Sequence, residues 1–338
     1  MADTPLDRTA IEAAARTLEQ GGLVAFPTET VYGLGADAEN PAAVAAIYAA
    51  KGRPSNHPVI VHLSPEADIG YWAQPIPVEA RKLIAAFWPG PLTLILKRAA
   101  HVPDTVSGGQ ESIGLRCPSH PVAQALLRAF KQGKGGVAAP SANKFGHVSP
   151  TTAQHVRDEF AETAHSPLGC ILDGGQSAVG IESTIIDLTR DHPVLLRPGH
   201  ITAADIAAVI GTEPAPPDDA APRVSGSLDA HYAPRTPLAL VESDILLGTL
   251  VRLADAGKKV ALMHRSPTLF RQVLAQQTLP ATPEGFAHDL YAAMRAMDGV
   301  DADIILIEHP PDEPAWQGVN DRLRRAAHGF AQELEKFL

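Results

Sequence analysis

Apolar residues recur in two periods along the chain. In residues 9–20 they fall at Ile11, Ala14, Ala15 and Leu18, one face of a helix that Gly21-Gly22 brings to a stop. The continuous run LVAF at 23–26 predicts a buried strand. Asn40 then caps a helix whose first position is Pro41. That helix carries Val44, Ile47 and Tyr48 inward and ends in Lys51-Gly52-Arg53-Pro54. Further strands are expected at 58–63 (PVIVHL), at 92–97, in SIGLRC ending near Arg116, and at 136–139, 170–173, 183–188 and 193–197. Helices are expected over about 77–87 and from Pro121 to about Lys131, and Ser149 with Pro150 is expected to open another. Strands and helices alternate, which predicts an α/β or α+β domain with a mixed sheet. The pattern does not decide whether that sheet is open or partly closed.

Periodicity stops at residues 212–235, where Pro, Ala, Asp, Ser and Gly dominate, so this stretch reads as a linker. Beyond it, LALVES (238–243), KVALMH (259–264) and ADIILIE (302–308) read as strands alternating with amphipathic helices. One helix face is marked by Phe286, Leu290, Ala293, Met294 and Met297. This is a second α/β unit, and no repeat relates it to the first.

Composition narrows the function. The 338 residues, 45% of them hydrophobic, suit two domains. A formal net charge of −10 argues against a general nucleic-acid binder. The charge is uneven: residues 51–150 hold eleven Lys/Arg against five Asp/Glu, and the rest of the chain seventeen against thirty-three. A positive region inside an acidic protein suits a small anion such as a nucleotide. Cys117 and Cys170 lie in apolar runs outside any CxxC and read as core thiols of a reducing compartment. No apolar run approaches the length of a membrane span, and MADTPLDRTA lacks the apolar core of a signal peptide. The expectation is a soluble cytoplasmic protein without an anchor.

The common nucleotide motifs are absent: there is no GxxxxGK[ST] loop, and no GxGxxG at a strand-to-helix turn. No HExxH or Cys/His cluster predicts a metal site. Polar residues gather instead where strands end. Thr28, Glu29 and Thr30 follow the first strand, and Lys51 and Arg53 sit at a helix end with His57 just beyond. His62 lies inside an apolar strand. Arg116 ends a strand, Ser141 and Asn143 end another, Glu182, Ser183 and Thr184 begin one, and Arg197 closes the last. Ligands of α/β sheets bind beyond strand ends, and such residues can cradle phosphate and carboxylate. Each also has a plainer role available. Lys51 and Arg53 would complement a helix dipole, and His62 would be a satisfied core histidine. Ser141 and Asn143 would be turn residues, and Arg116 and Arg197 surface ion pairs. The set, rather than any member, is specific.

Taken in order, "FPTETVYGLGADA", "KGRPSNHPVIVHL", "FWPGPLTLIL", "GLRCPSHP", "APSANKFGHVSPT", "GIESTIIDL" and "LLRPGHIT" resemble the YrdC/Sua5 family, the threonylcarbamoyl-AMP synthases, over roughly residues 10–205. "SGSLDAHYAP" and the trailing unit resemble its longer Sua5 type. The resemblance implies a YrdC-like twisted mixed-sheet α/β domain over 1–207 and a linker over 208–235 that closes over the active site. A smaller Rossmann-like α/β domain would fill 236–338 and support that closure. It implies synthesis of an adenylate from L-threonine, bicarbonate and ATP with release of pyrophosphate. The product would serve modification of adenosine 37 in ANN-decoding tRNAs through separate threonylcarbamoyl transferase partners, without strong direct binding of nucleic acid by this chain. Lys51 and Arg53 would be catalytic and bind ATP, together with His57, Ser112, Ser141, Asn143, Ser149, Arg197 and Tyr232. Thr30, His62, Arg116 and Ser183 would hold threonine, and Mg2+ would arrive through the phosphates. On this reading Gly33 and Gly35 let backbone approach the ligand closely.

Two other classes stand beside it. An RNA-binding module would need outward cations and stacking aromatics, but aromatics are 5% of the chain. A transferase to another carbamoyl acceptor, as in hydrogenase maturation, would carry zinc-finger and acylphosphatase-like segments, and none is seen.

Overall fold

The computed structural model describes residues 6–161, 168–226, 230–328, 330 and 334. The chain divides into two units, Met1–Phe145 with Pro150–Ser227, and Gly146–Ser149 with Leu228–Leu338. The expected linker is thus shared between them. Its residues 227–229 lie outside the described residues.

The apolar runs of the first unit become nine strands. They are β1 (Leu23–Phe26), β2 (Gly33–Asp37), β3 (Ile60–Leu63), β4 (Leu92–Lys97), β5 (Ser112–Arg116), β6 (Gly136–Ala138), β7 (Leu168–Ile171), β8 (Thr184–Asp187) and β9 (Val194–Arg197). They form one mixed sheet in the order β7-β1-β2-β6-β3-β5-β4-β8-β9. β3 runs parallel to β5, while β5 and β4 are antiparallel and β4 and β8 parallel. An antiparallel neighbour therefore brings the end of β5 and the beginning of β8 to the same edge. In β3 and β5, His62 pairs with Arg116 and Ile60 with Gly114. Gly114 keeps their shared face flat, since a Cβ there would stand 3.2 Å from Ile95 and 3.4 Å from Ile60.

The expected elements are present, with differences of physical origin. Gly33 and Gly35, expected to let backbone approach a ligand, lie in strand β2. A Cβ on Gly35 would lie 2.8 Å from Val137 and 2.9 Å from the Phe26 ring, so sheet packing itself requires glycine there. The helix expected to open at Ser149 begins at Ala153, because Thr152 accepts a hydrogen bond from the His155 amide and caps it.

The second unit forms a four-stranded sheet, β10 (Leu238–Val241), β11 (Val260–His264), β12 (Ala275–Thr278) and β13 (Ile304–Glu308), in the order β10-β13-β11-β12. All its pairs are parallel. β12 has the sequence AQQT and no buried residue, so no apolar run announced it. Beyond the strand ends the Glu308 carboxylate is buried and accepts from Ser243 Oγ (2.8 Å), the Arg265 amide (2.7 Å) and the Ser266 amide (3.2 Å). No helix among the described residues is long and apolar enough to cross a membrane.

The core of the first unit tolerates little change at β6. A Cβ on Gly136 would stand 2.4 Å from the buried Trp72 ring and 2.5 Å from Val61. Gly136→Ala is expected to cost roughly 1–3 kcal/mol through overpacking, read as a lower urea midpoint at unchanged slope.

Candidate active site

Among the described residues the first unit buries four cations: Lys51, Arg53, Arg116 and Arg197. Each owes its place to local chain geometry. The helix Pro41–Lys51 starts at Asn40, whose side chain accepts from the amides of Ala42 and Ala43. It ends at Gly52, in the left-handed region at φ 63°. That joint turns Lys51 and Arg53 inward instead of along the helix axis. Lys51 Nζ donates to the carbonyls of Ser141 (2.6 Å) and Asn143 (2.5 Å). Lys144 Nζ bonds the helix terminus directly, donating to Ala50 O at 2.7 Å. The Ser141–Asn143 loop is itself stitched to the segment entering β2, with the Ala142 amide donating to Tyr32 O and the Leu34 amide to Pro140 O.

Arg53 donates to Pro58 O (2.8 Å) and to Ser225 Oγ (3.3 Å). Arg197 donates to Ser225 O (2.7 Å), Ser183 O (3.0 Å) and Ser183 Oγ (3.1 Å). Ser183 Oγ in turn lies 2.8 Å from Thr93 Oγ1. Ser225 thus joins two arginines, and Ser183 joins Arg197 to β4. Residues 215–224 lead to this point along the same sheet face. Ala215, Ala221 and Val224 pack with Ile60, Ile95, Ile185, Val194 and Leu196. The Gln110 side chain exchanges hydrogen bonds with the backbone of Arg223.

Arg116 is held from three sides. It donates to Glu29 Oε1 (2.6 Å), Thr30 Oγ1 (2.9 Å) and Gly90 O (3.3 Å). Glu29 Oε2 accepts from the Ser119 amide. His62, beside Arg116 in the sheet, is buried, meets Phe26 edge-on at 6.0 Å, and has no hydrogen-bond partner at Nδ1.

Electrostatics follow from burial. Lys51 is held well below the ordinary lysine value, first by desolvation and then by Arg53. An incoming polyphosphate offsets both effects. His57, half-buried with its ring edge-on to Phe145, is lowered by burial and by Arg53. Burial pushes the Cys117 thiol up to about 12 and also raises Cys170, so neither is a ready nucleophile.

The structure therefore brings together Lys51, Ser141 and Asn143, then Arg53, Arg197 and Ser183 through Ser225, and Arg116 with Thr30. Ser112 is placed elsewhere. It begins β5, pairs with Lys97, and lines a cleft of about 560 Å3 with Lys97, Arg98 and Arg190. Ser149 and Tyr232 group with the second unit. There Tyr232, left-handed at φ 63°, packs against Tyr291 at 5.8 Å and Arg322 at 5.5 Å. Sequence reasoning missed Thr93 and Ser225; it took Thr28 and Glu29, with Thr30, as contacts to a hydroxylated amino acid and did not foresee that Glu29 holds Arg116 and Thr28 the Val31 carbonyl. Thr93 had a signal, a lone hydroxyl inside the apolar run LTLILK; Ser225, in aperiodic chain, had none.

Buried cations set on a mixed sheet, hydrogen-bonded to carbonyls and hydroxyls, are the donor set that suits phosphate and carboxylate groups. The chain belongs to the Sua5/YciO/YrdC family, whose family model, described as "Telomere recombination", matches residues 16–199. A second family model, the C-terminal domain of threonylcarbamoyl-AMP synthase, matches residues 201–328. Among curated relatives, the threonylcarbamoyl-AMP synthase of Pyrococcus abyssi is 38% identical over 94% of both chains. That of Bacillus subtilis is 38% identical over 94% of this chain and 93% of its own. The crystal structure of P. abyssi Sua5 complexed with L-threonine superposes with a TM-score of 0.86 at 36% identity, covering 95% of each chain.

His62 supplies a direct test of the site's electrostatics. Burial, then the Arg116 charge, pushes its pKa from 6.5 down to about 3. Between those values the unfolded chain binds a proton that the folded protein refuses. The stability from neutral His62 is therefore present above pH 6.5 and is lost as pH falls toward 3, by about 1.4 kcal/mol per pH unit. NMR of histidine-labelled protein is expected to show the His62 ring neutral at about pH 5. A titration midpoint above that pH would contradict the assignment.

Proposed function

We propose that this chain is an L-threonylcarbamoyladenylate synthase, forming threonylcarbamoyl-AMP and pyrophosphate from L-threonine, bicarbonate and ATP. The observation that carries the reading is the hydrogen-bonded run from Arg53 through Ser225 and Arg197 to Ser183 and Thr93, with Lys51 and Arg116 buried in the same unit. One group suits a polyphosphate and the other an amino-acid carboxylate. The similarity to named synthases, and to a relative solved with L-threonine, supports the same assignment.

The chemistry asks for positioning. The threonine amine adds to carbon dioxide, drawn from bicarbonate, and loses a proton to give a carbamate. A carbamate oxygen attacks the α-phosphate, and pyrophosphate leaves. Lys51, Arg53 and Arg197 bind the phosphates and offset charge that gathers on the leaving group. Arg116 and Thr30 fix the amino acid, with Ser183 and His62 beside them, so that its nitrogen faces the α-phosphate region. His57, Ser141, Asn143, Ser149 and Tyr232 are assigned to the nucleotide. Mg2+ would screen the triphosphate. The described residues contain no group of three or more His, Cys, Asp or Glu side chains able to hold a metal; phosphates and water would carry the ion. The product serves threonylcarbamoyladenosine formation at position 37 of ANN-decoding tRNAs, through partner transferases in the cytoplasm.

The test is pyrophosphate release from purified protein with ATP, Mg2+, bicarbonate and L-threonine, with mass detection of the adenylate. Lys51→Ala is expected to lower turnover by about 100-fold or more, as for loss of a contact to developing charge. Absence of threonine- and bicarbonate-dependent product from the wild-type protein would overturn the proposal.

A further inference from the structure

The loop after β1 is ordered by more than ligand contact requires. Thr28 is buried, and its Oγ1 lies 2.6 Å from Val31 O and 2.9 Å from Thr30 Oγ1. A hydroxyl has a single proton, and a carbonyl can only accept. The short contact to Val31 therefore uses the Thr28 proton. The contact between the two hydroxyls then uses the Thr30 proton, with Thr30 donating to Thr28. The amides of Thr30 and Val31 approach the same Thr28 oxygen at the longer distances of 3.3 and 3.2 Å, so they share one of its two lone pairs while the Thr30 hydroxyl takes the other.

At Thr30 the accounting continues. Arg116 Nη1 donates to its oxygen at 2.9 Å and fills one lone pair. Thr30 is left with an acceptor lone pair and no proton to give. Arg116, fixed by Glu29 and Gly90, can only donate. The loop thus presents a donor-only guanidinium beside an acceptor-only hydroxyl. This is the complement of a zwitterionic α-amino acid, whose carboxylate accepts and whose ammonium, on the adjoining carbon, donates.

We propose that Thr28 is a positioning residue for the amine of the amino-acid substrate: by taking the Thr30 proton it keeps Thr30 Oγ1 an acceptor for the α-ammonium group, while Arg116 holds the carboxylate. This rests on the threonine-binding reading above. Without the Thr28 hydroxyl the Thr30 proton turns freely, and a donor then faces the ammonium.

Thr28→Val keeps the branched shape and removes the hydroxyl, whereas Thr28→Ser keeps the hydroxyl. In the full chain, Thr28→Val is expected to raise KM for L-threonine about tenfold, the scale of one lost hydrogen bond to a charged group. KM for ATP should stay unchanged and Thr28→Ser should behave as wild type. Inhibition by β-hydroxybutyrate, which is threonine without its amine, should be equal in wild type and Thr28→Val. If the valine variant does not fold, Thr28→Ala carries the same expectations. A threonine KM within about twofold of wild type overturns the proposal. So does a parallel weakening of ATP and β-hydroxybutyrate, which marks general loosening of the loop. A wild-type protein without threonine-dependent turnover overturns instead the reading beneath it.

Discussion

The first unit is organised around the burial of positive charge. Taking an ammonium or guanidinium out of water costs several kcal/mol unless its hydrogen bonds are replaced. Lys51 recovers them from two backbone carbonyls, Arg53 and Arg197 from carbonyls and hydroxyls, and Arg116 from a carboxylate, a hydroxyl and a carbonyl. The two acceptors of Lys51 Nζ are carbonyls, which bear partial charge only, so this ammonium retains affinity for a full anion. Arg116 differs, because Glu29 already neutralises it. Its use to a ligand is directional, as a donor fixed in place rather than as a source of net field.

This requirement explains the architecture. Ser183 and Arg116 can meet one edge only because β5 and β8 run in opposite directions through β4. A wholly parallel sheet would have separated the start of one strand from the end of the other. The left-handed joint at Gly52 does similar work at the helix end, and Gly114 clears the sheet face between His62 and Arg116 on one side and the Ala215–Val224 segment on the other.

Much of this was legible in the chain. The Asn40 cap, the alternation of elements, the second α/β unit and the buried polar residues of the strand-end motifs were all readable because each departs locally from a simple apolar period. The order of strands was not, since pairing is set by contacts far apart in sequence. Thr28 and Glu29 were visible as residues but not as partners, because a hydrogen bond to Thr30 or Arg116 leaves no spacing signature. Ser225 was hidden in aperiodic chain, and the packing need for glycine at Gly35 was hidden because the side chains that crowd it, Val137 and Phe26, lie on other strands. Edge strand β12 escaped for want of apolar residues.

The second unit has its own use of a strand-end crevice. In parallel sheets the region beyond the carboxyl ends of the strands is where ligands collect. Here Glu308, from the end of β13, occupies it and takes two backbone amides and a hydroxyl. A tethered carboxylate in the right orientation behaves as a ligand at an effective concentration far above that of any dissolved anion. Ser243 follows β10, and Arg265 and Ser266 follow β11, so one carboxylate at the end of β13 fastens the segments leaving both of its neighbours in the sheet.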